Sequence, residues 1–243
     1  MKPCGTCKET SINYDIYPVN PEKLDAVVKK NLPKTIRIYH NKDNQKFIVH
    51  GLIPNQHFFY FGAYSRTPDL HLLHKDDAYG NLKNSGIALT NQKGEAAVFL
   101  ECPQVYIYDD EKVYHRHFHF VYWDSIKKTW QNNLYTHPIL CVVDYDFINK
   151  WIHHIKLVDA LSEKSFSEHH IQSSYNLPND QLWNEYEVKK KLRLKDKNYP
   201  IVVYCWDSSC KAGENVCKRL TRLGFYNIYL YKKGLKDWLS KSF

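Results

Sequence analysis

Two patterns of apolar and polar positions divide the chain. Up to about residue 150, short alternating runs dominate, at residues 35–39, 46–49, 96–100, 115–121 and 139–143. A period of two sends alternate side chains to opposite faces of a strand. Turn signals at Pro54 and Asn55, at Lys93 and Gly94, and at Asp109 and Asp110 separate several of these runs. Many short strands with few helices predict an antiparallel β-sandwich. One early helix is predicted, with Asn20 as N-cap, Pro21 at the first helical position, and Leu24, Val27 and Val28 as its apolar positions.

Beyond residue 150, strands and helices alternate. Residues 155–158, 201–204 and 228–231 read as buried strands. Helices are predicted around residues 163–169, from Asp180 to Val188, from Ala212 to Leu223 with Gly224 as the stop, and from Leu235 to Leu239. Strands alternating with helices predict a parallel sheet with helices on both faces. The fold class is therefore an α+β two-domain chain, with a β-sandwich over residues 1–150 and an α/β domain over residues 151–243.

A chain of 243 residues with 43% hydrophobic and 25% charged side chains can bury two cores. No apolar run approaches the roughly 20 residues of a membrane span. The first residues lack an apolar signal core, which predicts a cytoplasmic protein. Seven cysteines, an odd number without the spacing of a disulfide scaffold, read as free thiols of a reducing compartment. The net charge of +8 is uneven: residues 1–150 hold 18 Lys/Arg against 16 Asp/Glu, and residues 151–243 hold 16 against 10. Much of the second excess is the basic run at residues 189–195. It has no interleaved aromatics, so it reads as a solvated helix end rather than a nucleic-acid site.

The chemistry concentrates at Cys205. It ends the apolar run 200–204 and is followed by Trp206, Asp207, Ser208, Ser209 and Cys210, then by Lys211 and a helical pattern. A strand, a short loop and a helix start would place this sulfur among backbone N–H groups, which favour a thiolate or persulfide anion. Cys210 stands within reach of Cys205. It reads either as a small packed residue or as a thiol that attacks an oxidised or persulfidated Cys205 and closes a disulfide. Cys217 reads as a core residue, and His170 as a packing or capping residue.

Residues 152–243 resemble the rhodanese-like sulfurtransferase domain. The resemblance rests on Leu157, Val158 and Asp159; on Phe166, His170 and Ile171; on Asn176, Leu177 and Pro178; on residues 202–205; and on Leu223, Gly224, Phe225, Gly234 and Trp238. It implies that Cys205 takes sulfur from a sulfane-sulfur donor, holds it as a persulfide and passes it to a thiol or protein acceptor. Residues 206–211 would form the anion-binding loop, and no cofactor is required. Three positions depart from the family pattern. Cys210 replaces a cation common at the loop's end, Asp207 adds a negative charge that should raise the Cys205 pKa, and Leu161 replaces a frequent arginine. These departures keep a second reading open, in which the domain is a non-catalytic interaction scaffold.

His115, His117 and His119 alternate and should leave one face of a strand, with Phe118 and Phe120 on the other. Three imidazoles on one face suit zinc, iron or copper, and a half-exposed histidine-rich sheet is the plain alternative. The segments 90–94, 103–106 and 117–120, with Phe99, resemble the core of intradiol ring-cleavage dioxygenases. That resemblance implies iron held by Tyr106, His117 and His119, with Tyr79 as the candidate second tyrosine. It makes a third reading: a metal-binding β-sandwich enzyme with an accessory sulfurtransferase-like domain. A further candidate role for the N-terminal domain is to recruit a protein partner. Cys4 and Cys7 form a CxxC pair, which is half a zinc site, a redox pair or a pair of incidental thiols.

Overall fold

The computed structural model describes residues 22–24, 26–41, 44–64, 72–80, 82–107 and 113–241. Cys4, Cys7 and the predicted helix start at Asn20 and Pro21 lie outside them. The chain divides into two compact units, and among the described residues the division falls between Ile139 and Leu140 rather than between residues 150 and 151.

The first unit is built on antiparallel pairing. Its main sheet runs in the order Glu22–Lys23, Asn133–Pro138, His117–Asp124, His57–Gly62 and Ser85–Leu89, with Thr129–Trp130 paired to His117–Asp124. The strand His57–Gly62 is apolar at nearly every position because both its faces are covered. Phe58 and Tyr60 enter one cluster with Val98, Leu100 and Phe118, and Phe59 and Phe61 enter another with Val121, Trp130 and Leu134. The first cluster lies between this sheet and the antiparallel pair Gln45–Val49 and Ala96–Leu100. The second takes in Leu24 and Val28.

A small third sheet joins Leu73–His74, Tyr106–Ile107 and Val113–Tyr114. Its first strand leads directly into the helix Lys75–Ala78.

Two predicted elements differ here. The early helix covers Ala26–Asn31 and is preceded by the strand Glu22–Lys23, so it starts later than Pro21. The alternating run 35–39 is not a strand. Only Tyr39 pairs, through an isolated bridge to Ile87 on the edge strand Ser85–Leu89.

The second unit is a five-stranded parallel sheet in the order Cys141–Val142, Ile228–Tyr231, Ile201–Tyr204, Lys156–Asp159 and Tyr175–Asn176. All four residues of Ile201–Tyr204 and of Ile228–Tyr231 are buried, as in parallel strands covered on both faces. The helices are Tyr145–Trp151, Glu163–Glu168, Glu185–Leu192, Ala212–Arg222 and Gly234–Lys241. The helix predicted from Asp180 begins at Glu185 instead. Asn184 caps it, its side chain accepting from the Glu187 N–H while the Glu187 carboxylate accepts from the Asn184 N–H. The basic run closes that helix, where Lys189, Lys190 and Lys191 complement the C-terminal dipole. Residues 139–143, expected with the first domain, instead supply the edge strand Cys141–Val142 of this sheet.

Free thiols were expected, with a Cys205–Cys210 disulfide as the alternative reading of that pair, and the structure holds disulfides at that pair and beyond it. Cys205 and Cys210 are joined, Cys102 and Cys141 are each disulfide-bonded, and among the described residues Cys217 is the free cysteine, buried as expected. Among the described residues, no helix is long and apolar enough to cross a membrane.

Candidate functional site

Cys205 follows the C-terminal end of the Ile201–Tyr204 strand, and the next helix begins at Ala212. Two glycines let the neighbouring helices close on it. A Cβ on Gly213 would lie 3.6 Å from the Cys205 Cβ, so the helix Ala212–Arg222 packs directly behind the cysteine. Gly234 has φ +68°, and a Cβ there would lie 2.3 Å from the Cys205 carbonyl oxygen and 2.8 Å from the Trp206 carbonyl carbon. This approach lets the first turn of Gly234–Lys241 hold the loop: Leu235 N–H donates to Cys205 O and Lys236 N–H to Trp206 O, both at 2.9 Å. The Cys205 and Trp206 carbonyls are thereby engaged by the first turn of that helix.

Inside the loop, Asp207 organises the turn. Its Oδ1 accepts from the Ser209 N–H at 3.0 Å and from the Ser209 hydroxyl at 2.6 Å, and its carbonyl accepts from the Cys210 N–H at 3.1 Å. The Ser209 hydrogen bonds hold the Asp207 carboxyl below the usual carboxylate range, so it stays ionised at neutral pH. Among the described residues, the N–H groups of Trp206, Ser208 and Lys211 have no acceptor. The Lys211 ammonium lies 3.8 Å from the Glu214 carboxylate. Cys210 returns over Cys205 to form the disulfide, with the Cα atoms 6.2 Å apart. Cys205 is 3% exposed, while Cys210 is half-buried.

Beside the loop, Asp159 pairs in register with Tyr204. Its Oδ1 accepts from the Leu161 N–H at 2.8 Å, and its Oδ2 is buried without a hydrogen-bond partner. Burial pushes this carboxyl up to about 6. The Tyr204 hydroxyl accepts from the Ile171 N–H and bonds the Ser174 hydroxyl, and burial pushes its pKa up. His170 stacks on Phe166 and bonds its carbonyl through Nδ1, the capping role expected for it.

The first unit brings together Tyr79, Tyr106, His117 and His119, the side chains that the dioxygenase resemblance implies. The Tyr79 hydroxyl donates to the Tyr106 oxygen at 2.9 Å. Both phenol oxygens lie 3.0 Å from His117 Nε2, and His119 Nε2 lies 3.3 Å from that same atom. Tyr106 comes from the small sheet, and Tyr79 follows the helix that its partner strand feeds. His117 and His119 project from one face of His117–Asp124, the face that also carries Val121.

The outer ring nitrogens are fixed as well. His117 Nδ1 lies 2.6 Å from the His115 carbonyl, which can only accept, so its proton sits on Nδ1 and its Nε2 lone pair faces the phenols. His119 Nδ1 bonds the hydroxyl of its cross-strand partner Thr136 at 2.8 Å. Burial, with His119 and His115 adding to it, pushes the His117 pKa well down, so the ring is neutral.

His115 is not part of this convergence. It precedes the strand, its ring stands 5.8 Å from that of His117, and among the described residues no group of three or more His, Cys, Asp or Glu is placed to hold a metal.

Residues 146–241 match the family model described as the rhodanese-like domain. A search of curated proteins finds no match. Among solved structures, a human single-domain sulfurtransferase is 15% identical, with 41% of this chain and 96% of that chain covered and a TM-score of 0.36. A single-domain sulfurtransferase of Saccharomyces cerevisiae is 16% identical, with 44% and 94% covered and a TM-score of 0.37. A rhodanese-related protein of Thermoplasma volcanium is 16% identical, with 42% and 94% covered and a TM-score of 0.32. A cysteine at the end of a central parallel strand, followed by a helix start, lies inside the stretch, residues 146–241, that matches the rhodanese-like domain model.

Proposed function

We propose that this domain transfers sulfane sulfur through a persulfide on Cys205. The observation that carries the reading is the position of Cys205 between the end of the central strand and the start of the Ala212–Arg222 helix, within a rhodanese-like domain. A Cys205 thiolate attacks the outer sulfur of a donor such as thiosulfate. The new S–S bond forms as the donor's own S–S bond breaks, and sulfite leaves with that bond's electron pair. The persulfide anion needs hydrogen-bond donors, and the N–H groups of Trp206, Ser208 and Lys211 are available in the loop. Asp207 reduces that supply by taking the Ser209 N–H, so the loop offers fewer donors than an all-open ring would. Reduced protein incubated with thiosulfate should release sulfite as Cys205 takes up one sulfur atom, and Cys210→Ser, which lacks the second thiol of the loop, should hold that atom on Cys205 for peptide mapping. No sulfite release and no adduct on Cys205 in either protein, with the thiol accessible, would favour the scaffold reading instead.

A second reading rests on its own observation, the convergence of Tyr79, Tyr106, His117 and His119. One imidazole lone pair, on His117 Nε2, faces three polar atoms within 3.3 Å. A cation accepting an electron pair from each of the four groups would resolve that crowding. Phenolate oxygen with imidazole nitrogen suits iron, zinc or copper. Such a metal would supply Lewis-acid or redox chemistry. The protein's part is to hold the two rings through the His115 carbonyl and the Thr136 hydroxyl and to keep the site partly dry with Phe61 against His119. This reading keeps the intradiol-type β-sandwich as the candidate architecture of the first unit. Metal analysis of purified protein tests it, and an absence of iron, zinc and copper would remove it.

A further inference from the structure

We infer that the Cys205–Cys210 pair makes this domain discharge its sulfur as sulfide, leaving a disulfide that an external dithiol must reopen through Cys210. The inference rests on the Cys205 persulfide reading and names the fate of the sulfur and the class of the partner. Its basis is placement. The Asp207 turn and the two N–H donors from Gly234–Lys241 fix both ends of the loop, and in that loop Cys210 lies in bonding contact with the Cys205 sulfur itself. A persulfide on Cys205 would therefore present its inner sulfur to Cys210. The Cys210 thiolate attacks that inner sulfur, the Cys205–Cys210 bond forms, the bond to the outer sulfur breaks, and hydrosulfide leaves with the electron pair. In total, one persulfide and one thiol become one disulfide and one hydrogen sulfide. The sulfane sulfur is reduced and the cysteine pair is oxidised.

The resting product of that step is the disulfide present in the structure. Reopening it needs two electrons, which a dithiol supplies. The entry point follows from exposure. Cys205 is 3% exposed, and Cys210 is half-buried, so an incoming thiolate reaches the Cys210 sulfur. Cys205 then leaves as a thiolate among the loop N–H groups, and the dithiol's second sulfur releases Cys210. This order regenerates the nucleophile directly.

The test uses the full chain, reduced and freed of reductant, with thiosulfate and, in parallel, benzenethiosulfonate as donors. Wild type should release sulfide equimolar with the chain and stop, with the 205–210 disulfide found by peptide mapping. Dithiothreitol should then restore repeated release. Cys210→Ser should take up sulfur on Cys205 with release of sulfite, keep that sulfur and lose the sulfide burst. A wild-type protein that retains sulfur on Cys205 beside a free Cys210 thiol overturns the inference while leaving the persulfide reading intact. So does a Cys210→Ser protein with an undiminished sulfide burst. No sulfur on Cys205 in either protein overturns both readings. A brief pulse of 2-mercaptoethanol on oxidised wild type, quenched by alkylation, should trap the mixed disulfide on Cys210. Trapping on Cys205 overturns the entry point.

Discussion

Replacing Gly234 by alanine should disable the Cys205 loop from a position outside it. Two costs add. A non-glycine residue at φ +68° costs about 1–2 kcal/mol. The new Cβ would also stand 2.3 Å from the Cys205 oxygen and 2.8 Å from Trp206 backbone atoms, so backbone must move. The movement endangers the hydrogen bonds from Leu235 and Lys236, each worth about 0.5–1.5 kcal/mol. The expected loss is roughly 2–5 kcal/mol by urea unfolding, with a parallel fall in the rate of sulfur loading on Cys205.

Gly213→Ala is the matched control. Its Cβ would meet the Leu230 side-chain end at 3.1 Å and, at ordinary contact distance, the Cys205 Cβ and the Tyr204 carbonyl carbon at 3.6 Å, and alanine gains up to about 1 kcal/mol of helix propensity. It should change stability by about 1 kcal/mol or less and leave loading close to wild type. A Gly234→Ala protein as stable as wild type and loading at the same rate would refute the account of how the loop is held.

Asp159→Asn tests the buried carboxyl. Its folded pKa, raised to about 6 from an unfolded value near 3.8, contributes stability that is full below about pH 4 and lost as pH rises through 6. The loss amounts to roughly 3 kcal/mol at about 1.4 kcal/mol per tenfold change in proton affinity. Thermal or urea unfolding between pH 4 and 7 should show that decline in wild type and a flatter profile in the variant, and equal slopes would count against it. Asp207→Asn keeps an acceptor for Ser209 and removes a charge from the loop, so the pH midpoint of sulfur loading should fall, and an unchanged profile would show that the charge is not felt at Cys205. Thr136→Val removes the partner of His119 Nδ1. If a metal is bound, its affinity by chelator competition should drop about 10–100-fold with the unit still folded, and unchanged affinity would exclude His119 as a ligand.

The second unit was legible because its signals are local. The apolar run at 201–204, the helix stop at Gly224 and the ordered motifs between residues 157 and 238 each depend on neighbours in sequence, and the parallel sheet follows from their order. What failed also has local causes. The helix predicted from Asp180 starts later, because the reciprocal box at Asn184 and Glu187 sets its first turn. The alternation at 35–39 has a strand period without a strand partner beyond one bridge.

Tyr79 could not be placed from sequence, because it reaches Tyr106 and His117 only through the pairing of Leu73–His74 with Tyr106–Ile107. The third histidine, His115, fits the period but lies outside the strand that aims the other two. The role of Asp207 was half legible. Its charge was plain, but its use as the acceptor that shapes the loop depends on a turn that only the folded backbone shows.

The most direct test of the central claim is the rate of sulfite release from thiosulfate by reduced wild-type protein and by Cys205→Ala. The account predicts release by wild type and none above background by the variant, with Cys217 unable to substitute because it is fully buried. Sulfite release by Cys205→Ala at the wild-type rate would contradict the assignment of Cys205 as the sulfur-carrying residue.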